Sequence, residues 1–386
     1  MSQEFDVLVV GGGVVGLAAT LAMAQKNYRV ALIDAGNLET KPDQTSQRVY
    51  AINKASQTLL TELGAWQLLE DSRVSPYNKM FVWDAINGEH IDFDSRTIAA
   101  QNLGHIIEET SLKNALLARI HQVENICLFA QSSASNVYQL KDSICVEAGE
   151  LKFDVQLLMI ADGAASPTRE KVQAKLTTWS YEQQAIVATV QTEKPHHKTA
   201  YQVFNPDGPL AFLPLTQAHQ CSIVWSTQPE RAASLMSLDD DSFNEELSKA
   251  FAAKLGQVQT LSSRHQFPLQ MRHAQDYSGN RWLLLGDAAH TIHPLAGLGL
   301  NLGLADVQSW MTIMGKNKGL LCSNKMLGAY QRERKHDVWQ TILCMEGFKR
   351  LFSHASGPIP TIRGLGLRLC NELTPLKRLF IQHAAG

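Results

Sequence analysis

Three glycines in the spacing Gly11-x-Gly13-x-x-Gly16, with Asp34 ending the next apolar run, are the first residues in the chain whose types and spacing could do chemistry. That chemistry is recognition of a dinucleotide. Gly11 allows a tight turn, Gly13 lets the backbone approach a pyrophosphate, and Gly16 lets a helix and a strand pack closely. The helix N-terminus attracts phosphates, and Asp34 is placed to accept hydrogen bonds from the adenosine ribose hydroxyls. FAD and NAD both suit such a site, so the choice between them rests on later residues. Leu283-Leu284-Leu285-Gly286-Asp287 is an apolar strand ending in an acid, whose carboxylate suits the ribityl hydroxyls that FAD has and NAD lacks. Beyond it, His293-Pro294-Leu295-Ala296-Gly297-Leu298-Gly299-Leu300-Asn301 places Gly297 and Gly299 before a helix. Backbone amides there could approach a flavin ring and stabilise negative charge on it. The plainer alternative is an ordinary strand followed by a helix-capping loop.

The elements that must position these residues follow from periodicity. The valine-rich Phe5 to Val10, the glycine turn, the helix formers of Val14 to Gln25 and the apolar Arg29 to Asp34 give strand, turn, helix, strand: the first βαβ unit of a doubly wound sheet. Apolar spacing predicts helices over Arg48 to Leu63 and Ser111 to Val123. Asn87-Gly88 between two short apolar runs in Lys79 to Phe93 predicts a hairpin. Ala185 to Val190, Gln202 to Phe204, Leu210 to Leu215 and Cys221 to Trp225 read as strands separated by turns such as Asn205-Pro206-Asp207-Gly208. The expected fold class is therefore α/β: a Rossmann-like domain over 1–75, 100–180 and 276–340, an inserted mostly β substrate domain over 76–99 and 181–275, and a C-terminal helical segment over 341–386.

Composition excludes several other classes. The chain has 386 residues, 45% hydrophobic and 19% charged, with a net charge of −2, which gives no attraction to nucleic acid. Six scattered cysteines without a CxxC pair suggest neither a disulfide framework nor a zinc site, and fit a reducing cytoplasm. Phe5 to Ala24 carries only Asp6 as a charge, but Gly11 to Gly13 would weaken a spanning helix, and no basic residue precedes the run. Asp287, His290 and His293 belong to the flavin loop, so no metal is expected, and His196-His197 reads as a solvated turn. No GxSxG elbow or P-loop supplies a nucleophile or phosphate cradle for hydrolase or NTPase chemistry.

The order of these motifs resembles the group A flavoprotein aromatic hydroxylases. Ala161-Asp162-Gly163-Ala164-Ala165-Ser166-Pro167-Thr168-Arg169 is similar to their ADGxxSxxR, and Gly286-Asp287-Ala288-Ala289-His290-Thr291-Ile292-His293-Pro294 to their GDAAHxxxP. The likeness narrows to the ubiquinone-biosynthesis hydroxylases, whose HPxAGQGxNxGxxD is matched from His293 to Asp306 except that Leu298 stands where Gln is expected. Asp34 likewise replaces the Glu commoner there. Leu103 to Glu108, Pro206 to Leu215, Cys221 to Ser226 and Tyr330 to His336 look most like the enzymes acting on 2-polyprenylphenols at ring position 5.

The resemblance implies a para-hydroxybenzoate hydroxylase-like fold and FAD held by Gly11, Gly13, Gly16, Asp34, Arg48, Asp162, Gly286, Asp287, Gly297, Gly299, Leu300 and Asn301. It implies a monooxygenase using O₂ through a C4a-hydroperoxyflavin; because only one dinucleotide fingerprint is present, NAD(P)H either visits as a transient reductant or is replaced by another donor. Water must be excluded from such chemistry. Phe212, Leu213, Pro214 and Trp225 are the expected apolar wall, with Pro294 near the substrate ring; packing in a β core is the other role open to the four wall residues. Alternatives are a hydroxylase for another ring position, a flavin oxidase, dehydrogenase or halogenase of the same fold, and a non-enzymatic flavin-binding scaffold subunit. From Gly347 to Gly386 six basic residues face one acid, Glu372, among interleaved apolar residues. These helices either pack on the cofactor domain or dock on the inner membrane surface or a ubiquinone-biosynthesis complex, making the expected location cytoplasmic or peripheral.

Overall fold

The computed structural model describes residues 2–39, 48–292, 297–317, 320–353, 359–373, 375 and 377–378. Among them, the valine and leucine runs assemble a sheet in the order Ser278–Gly279, Trp282–Leu284, Leu157–Ile160, Val7–Val10, Val30–Ile33, Ile126–Phe129, parallel except at the Ser278 edge. Its central strands are buried on both faces, which explains why they read as continuous apolar runs without alternation. Helix Val14–Ala24 is apolar nearly all round because it is sandwiched between that sheet and the helices Glu109–Ile120 and Leu298–Lys316.

Beside the parallel sheet lie two smaller sheets, one of Ser2–Glu4, Leu151–Val155, Ile144–Ala148 and Asn136–Gln139 and one of Val49–Ile52, Gly104–Glu108 and Val74–Tyr77, and a larger mixed sheet. Its strands run His290–Thr291, His265–Ala274, Leu176–Thr192, Gln220–Thr227, Gly208–Pro214, Thr199–Asn205, Lys79–Asp84 and His90–Asp94, with Val258–Thr260 beside Leu176–Thr192. The Asn87-Gly88 hairpin joins the last two, with Gly88 at φ +75°. One face is covered by helices Pro229–Ser237 and Asp240–Ala250, where Phe243, Leu247 and Phe251 meet Phe212 and Trp225. The opposite face lines a cavity toward the parallel sheet.

Three expectations are corrected. Arg48 to Leu63 is not one helix: Val49–Ile52 is a strand paired to Gly104–Glu108, and the helix begins at Lys54, capped by the Asn53 side chain accepting from Ser56 N at 2.9 Å. The cap residue and the β-branched flank outweighed the helical spacing. His196 is buried rather than solvated, with Nε2 3.0 Å from Gln217 O and Nδ1 accepting from Lys198 N. Gly299 lies within the first turn of helix Leu298–Lys316 rather than before it.

The C-terminal helices Asn324–Ser353 and Ile359–Glu372 and the residues after them engage their cations partly with the rest of the fold and partly within their own surface. Lys349 donates to Tyr181 O, Arg350 pairs with Glu346, Arg363 with Asp84, Arg368 with Glu372 and Lys377 with Asp92, while Arg378 donates to Thr97 O. No helix among the described residues is long and apolar enough to cross a membrane.

Candidate active site

A cavity of about 1040 Å³ runs from the glycine turns to the open face of the large sheet. At one end, Asp34 accepts from the Gly12 amide and, at 2.8 Å, from the Gly36 amide, beside Ala35 and Ser132 to Ala134. These bonds fix the carboxylate with lone pairs left over for a ligand hydroxyl. Gly11 and Gly13 line the next stretch, at the N-terminus of helix Val14–Ala24. Gly11 has φ +111°, and a side chain there would strike the Ala161 carbonyl. Gly16 is off the cavity, packed against the Gly11 carbonyl as the close approach of helix and turn requires.

The second motif is a self-braced loop. Asp162 bonds the Ser166 hydroxyl and accepts from Thr168 N at 3.1 Å, and Ser166 caps helix Pro167–Lys171 through Arg169 N. Buried Arg169 then donates to Ala288 O at 3.0 Å, joining this loop to the third motif.

That third motif is held from behind by Asp306, a residue outside the expected cofactor contacts. Its fully buried carboxylate accepts from Gly286 N at 2.8 Å, contacts His290 Nε2 at 2.8 Å and pairs with Arg334 at 2.7 Å. Burial alone would raise this carboxyl, but His290 and Arg334 outweigh it and hold it below the usual carboxylate range. Tyr330 adds a hydrogen bond to Leu284 O at 2.7 Å. The strand end is thereby fixed with Asp287 on the cavity. Asp306 and Arg334 both lie in stretches that carried the family likeness, but only their meeting in space discloses this role.

Gly297, Gly299 and Leu300 line the cavity beside Arg48 to Ala51, Gly297 packing directly on Ala51. Arg48 lies over the Tyr50 ring at 5.1 Å and 3.9 Å from Glu109. Burial, offset by Arg48 and reinforced by Glu109 and Asp287, pushes the Tyr50 hydroxyl above the usual phenol range. Neither Tyr50 nor Glu109 was marked by a motif. Asn301 is not on the cavity: its amide donates to Ala51 O at 2.7 Å and Gly297 O at 3.1 Å, and its oxygen accepts from Asn53 N. With its hydrogen bonds committed to backbone, Asn301 ties the Gly297 turn to strand Val49–Ile52 instead of offering groups to a ligand.

On the large sheet Met80, Val187, Ala200, Ala211, Leu213 and Val224 line the cavity together with polar Gln202, Ser222, Gln270 and Arg272. Of the expected wall residues only Leu213 lies there. Phe212 and Trp225 belong to the core on the other face, where Phe212 stacks on Phe251 at 3.7 Å, and Pro214 is buried off the cavity. Strand parity explains this: Pro209, Ala211 and Leu213 point one way, and Leu210, Phe212 and Pro214 the other. Pro294 lies outside the described residues.

These residues fit an elongated dinucleotide. Side chains at Gly13, Gly163 or Gly299 would meet nothing within 4 Å, so glycine keeps open a path along the cavity, past a helix N-terminus and two carboxylates. Among the described residues no cluster suited to a metal ion occurs.

Residues 4–343 match the family model of the FAD binding domain. The chain is 32% identical to 3-demethoxyubiquinol 3-hydroxylase of Escherichia coli, covering 100% of this chain and 99% of that one. It is 31% identical to the mitochondrial ubiquinone biosynthesis monooxygenase COQ6 of Xenopus tropicalis (99% and 93%) and 31% identical to the ubiquinone hydroxylase UbiL of Rhodospirillum rubrum (99% and 89%). Among solved structures, p-nitrophenol 4-monooxygenase from Pseudomonas putida superposes with a TM-score of 0.81 at 18% identity, covering 99% of this chain and 98% of that chain. The last likeness shows the fold, which is of the para-hydroxybenzoate hydroxylase type with its large β-sheet set on a dinucleotide-binding domain. By the family match and by relatives aligned over their whole lengths, the chain belongs to the FAD-dependent monooxygenases, in the group of the ubiquinone-biosynthesis hydroxylases.

Proposed function

We propose that the protein hydroxylates the aromatic ring of a polyprenylphenol, at ring position 5. The observation that carries the reading is the continuity of the cavity. The glycine-lined path and the sheet face share one cavity, so a ring lying against the apolar Leu213, Met80 and Val224 would share it with the Gly297–Leu300 turn. FAD, when bound and reduced, would supply the activation of O₂, one atom of which the ring receives while the other leaves as water.

The chain's own residues do the rest. The helix N-terminus at Gly13 and the Asp34 carboxylate orient the two ends of the adenosine diphosphate. Asp287, fixed through Gly286 by Asp306, takes the ribityl hydroxyls. The apolar side chains of the sheet keep water from the reacting centre, where an unprotected oxidant would decay without product. Arg48, Tyr50 and Glu109 add polar groups to the cavity lining beside the Gly297 turn. NAD(P)H is the proposed reductant, visiting the cavity transiently. Arg363 packs its helix on the fold through buried Asp84, whereas Arg350 and Arg368 pair at the surface and Ile362, Leu365 and Leu369 are exposed, so peripheral docking of the last helix stays part of the proposal.

Asp287→Ala should purify largely without FAD while keeping the circular dichroism of the parent, since it removes a ligand group and no core contact. Flavin content and affinity equal to the parent would remove Asp287 from the site. Ring position is read from the product: incubation of the holoenzyme with 2-polyprenylphenol, NADH and O₂, followed by NMR of the hydroxylated ring, should place the new hydroxyl at carbon 5.

A further inference from the structure

Leu298, the residue that departs from the family signature, begins helix Leu298–Lys316 and packs against two hydrophobic clusters at once. One is the core around the parallel sheet. The other is a separate cluster in which Phe204 of the large sheet meets Met345 and Phe352 of the long C-terminal helix. Phe204 and Phe352 stack with centroids 4.0 Å apart. Above Phe352, at 4.8 Å, lies the guanidinium of Arg363, which is paired with Asp84 at 2.6 Å with both side chains buried, and which donates to Leu351 O at 2.7 Å.

Arg363 belongs to the last helix, and that helix is fastened along the Asn87-Gly88 hairpin. Asn87 donates to Pro360 O at 2.8 Å, and the Asn371 side chain accepts from Asp92 N at 3.1 Å. A buried pair with further bonds to each partner gives a defined geometry even where its net contribution to stability is small. The linkage therefore runs from the hairpin through Arg363 and the aromatic stack to a side chain in the middle of the Gly297–Leu300 turn. A leucine packed on both sides has few alternative positions, because close-packed interiors transmit displacement instead of absorbing it. A glutamine there would bring a polar amide to the edge of that cluster.

We propose that Leu298 is a positioning residue through which the C-terminal helices hold the Gly297–Leu300 turn against the cavity, with the Phe204–Phe352 stack and the Arg363–Asp84 pair as the far end of the linkage. The inference rests on the reading of that turn as flavin-facing. It gives the C-terminal segment a task in the active site although none of its residues lines the cavity.

Hydrogen exchange on the full chain, with and without FAD, tests it through Leu298→Ala, Phe352→Ala and the control Ile362→Ala, whose side chain is 65% exposed on the same last helix. In the absence of FAD, both core variants should exchange the amides of 297–303 roughly tenfold faster than the parent, a change of about 1.4 kcal/mol in local opening. Amides of Val7–Val10 should stay at the parental rate, and Ile362→Ala should change neither segment. FAD affinity should fall several-fold in the two core variants and recover in Phe352→Leu. Faster exchange confined to 341–373, with 297–303 at the parental rate in both core variants, would overturn the proposal and leave the helices a purely structural role. Should Phe352→Ala fail to fold, Leu298→Ala decides alone, since it must loosen 345–353 as well as its own turn. A parent chain that binds no FAD would instead count against the flavin reading, and the exchange result would still stand or fall by itself.

Discussion

The glycine-lined half of the cavity and its sheet-lined half are built on opposite principles. In the first, the backbone is the recognition surface: Gly11 at φ +111° and the open positions Gly13, Gly163 and Gly299 leave main chain facing the path, so residue type and spacing state the site almost completely. In the second, side chains are the surface, and which ones count depends on strand parity. Adjacent Phe212 and Leu213 have similar character in the sequence, yet one stacks on Phe251 in a closed core and the other lines the cavity. A motif is informative where glycine is demanded by geometry and weak where any apolar residue would do.

The largest expected effect lies in the first half. Gly11→Ala forces a side chain toward the Ala161 carbonyl at a φ that L residues rarely adopt. Strain and overpacking together should cost about 4 kcal/mol, with flavin lost from the purified chain. Denaturant melts and flavin content measure both. A stable, FAD-loaded Gly11→Ala protein would break the claim that backbone geometry governs this half.

The sheet half is tested by neighbours. Phe212→Ala should cost about 3 kcal/mol through the cavity it leaves, and in whatever protein remains folded the KM for the phenol should stay near the parental value. Leu213→Ala should cost less stability and raise that KM instead. The reverse pattern would mean that the parity assignment is wrong.

The smallest effect concerns pH. Burial, with Lys335 and His290 adding to it, pushes His273 down to about 4. A histidine with a folded pKa below its unfolded one binds fewer protons when folded. Its contribution to stability is therefore present above the unfolded pKa, near 6.5, and is lost as pH falls through 4. His273→Phe, which cannot take a proton, should flatten stability over that window by about 2 kcal/mol. Parallel pH profiles of parent and variant would show that burial of His273 does not govern this range.

Much of the architecture was legible because its signals are local. The buried strands Val7–Val10 and Val30–Ile33, the Asn87-Gly88 hairpin and the acids Asp34 and Asp287 at strand ends stand out in single stretches. What escaped depends on distant partners. Asp306 acquires its role only when Arg334 and Gly286 meet it, and Asn301 is a brace because Ala51 and Asn53 supply backbone groups to its amide. Strand Val49–Ile52 was read as helix because its apolar spacing suits both periods until Gly104–Glu108 pairs with it.

The central claim is that flavin bound along this cavity places oxygen on an aromatic ring lying against the sheet. The most direct measurement is turnover of a polyprenylphenol by the purified holoenzyme under ¹⁸O₂ in ordinary water, with the product mass determined. One atom of ¹⁸O in the new ring hydroxyl is the predicted result. An unlabelled hydroxyl, or a product oxidised without gain of oxygen while the flavin cycles, would contradict the account and make the protein an oxidase or dehydrogenase of the same fold.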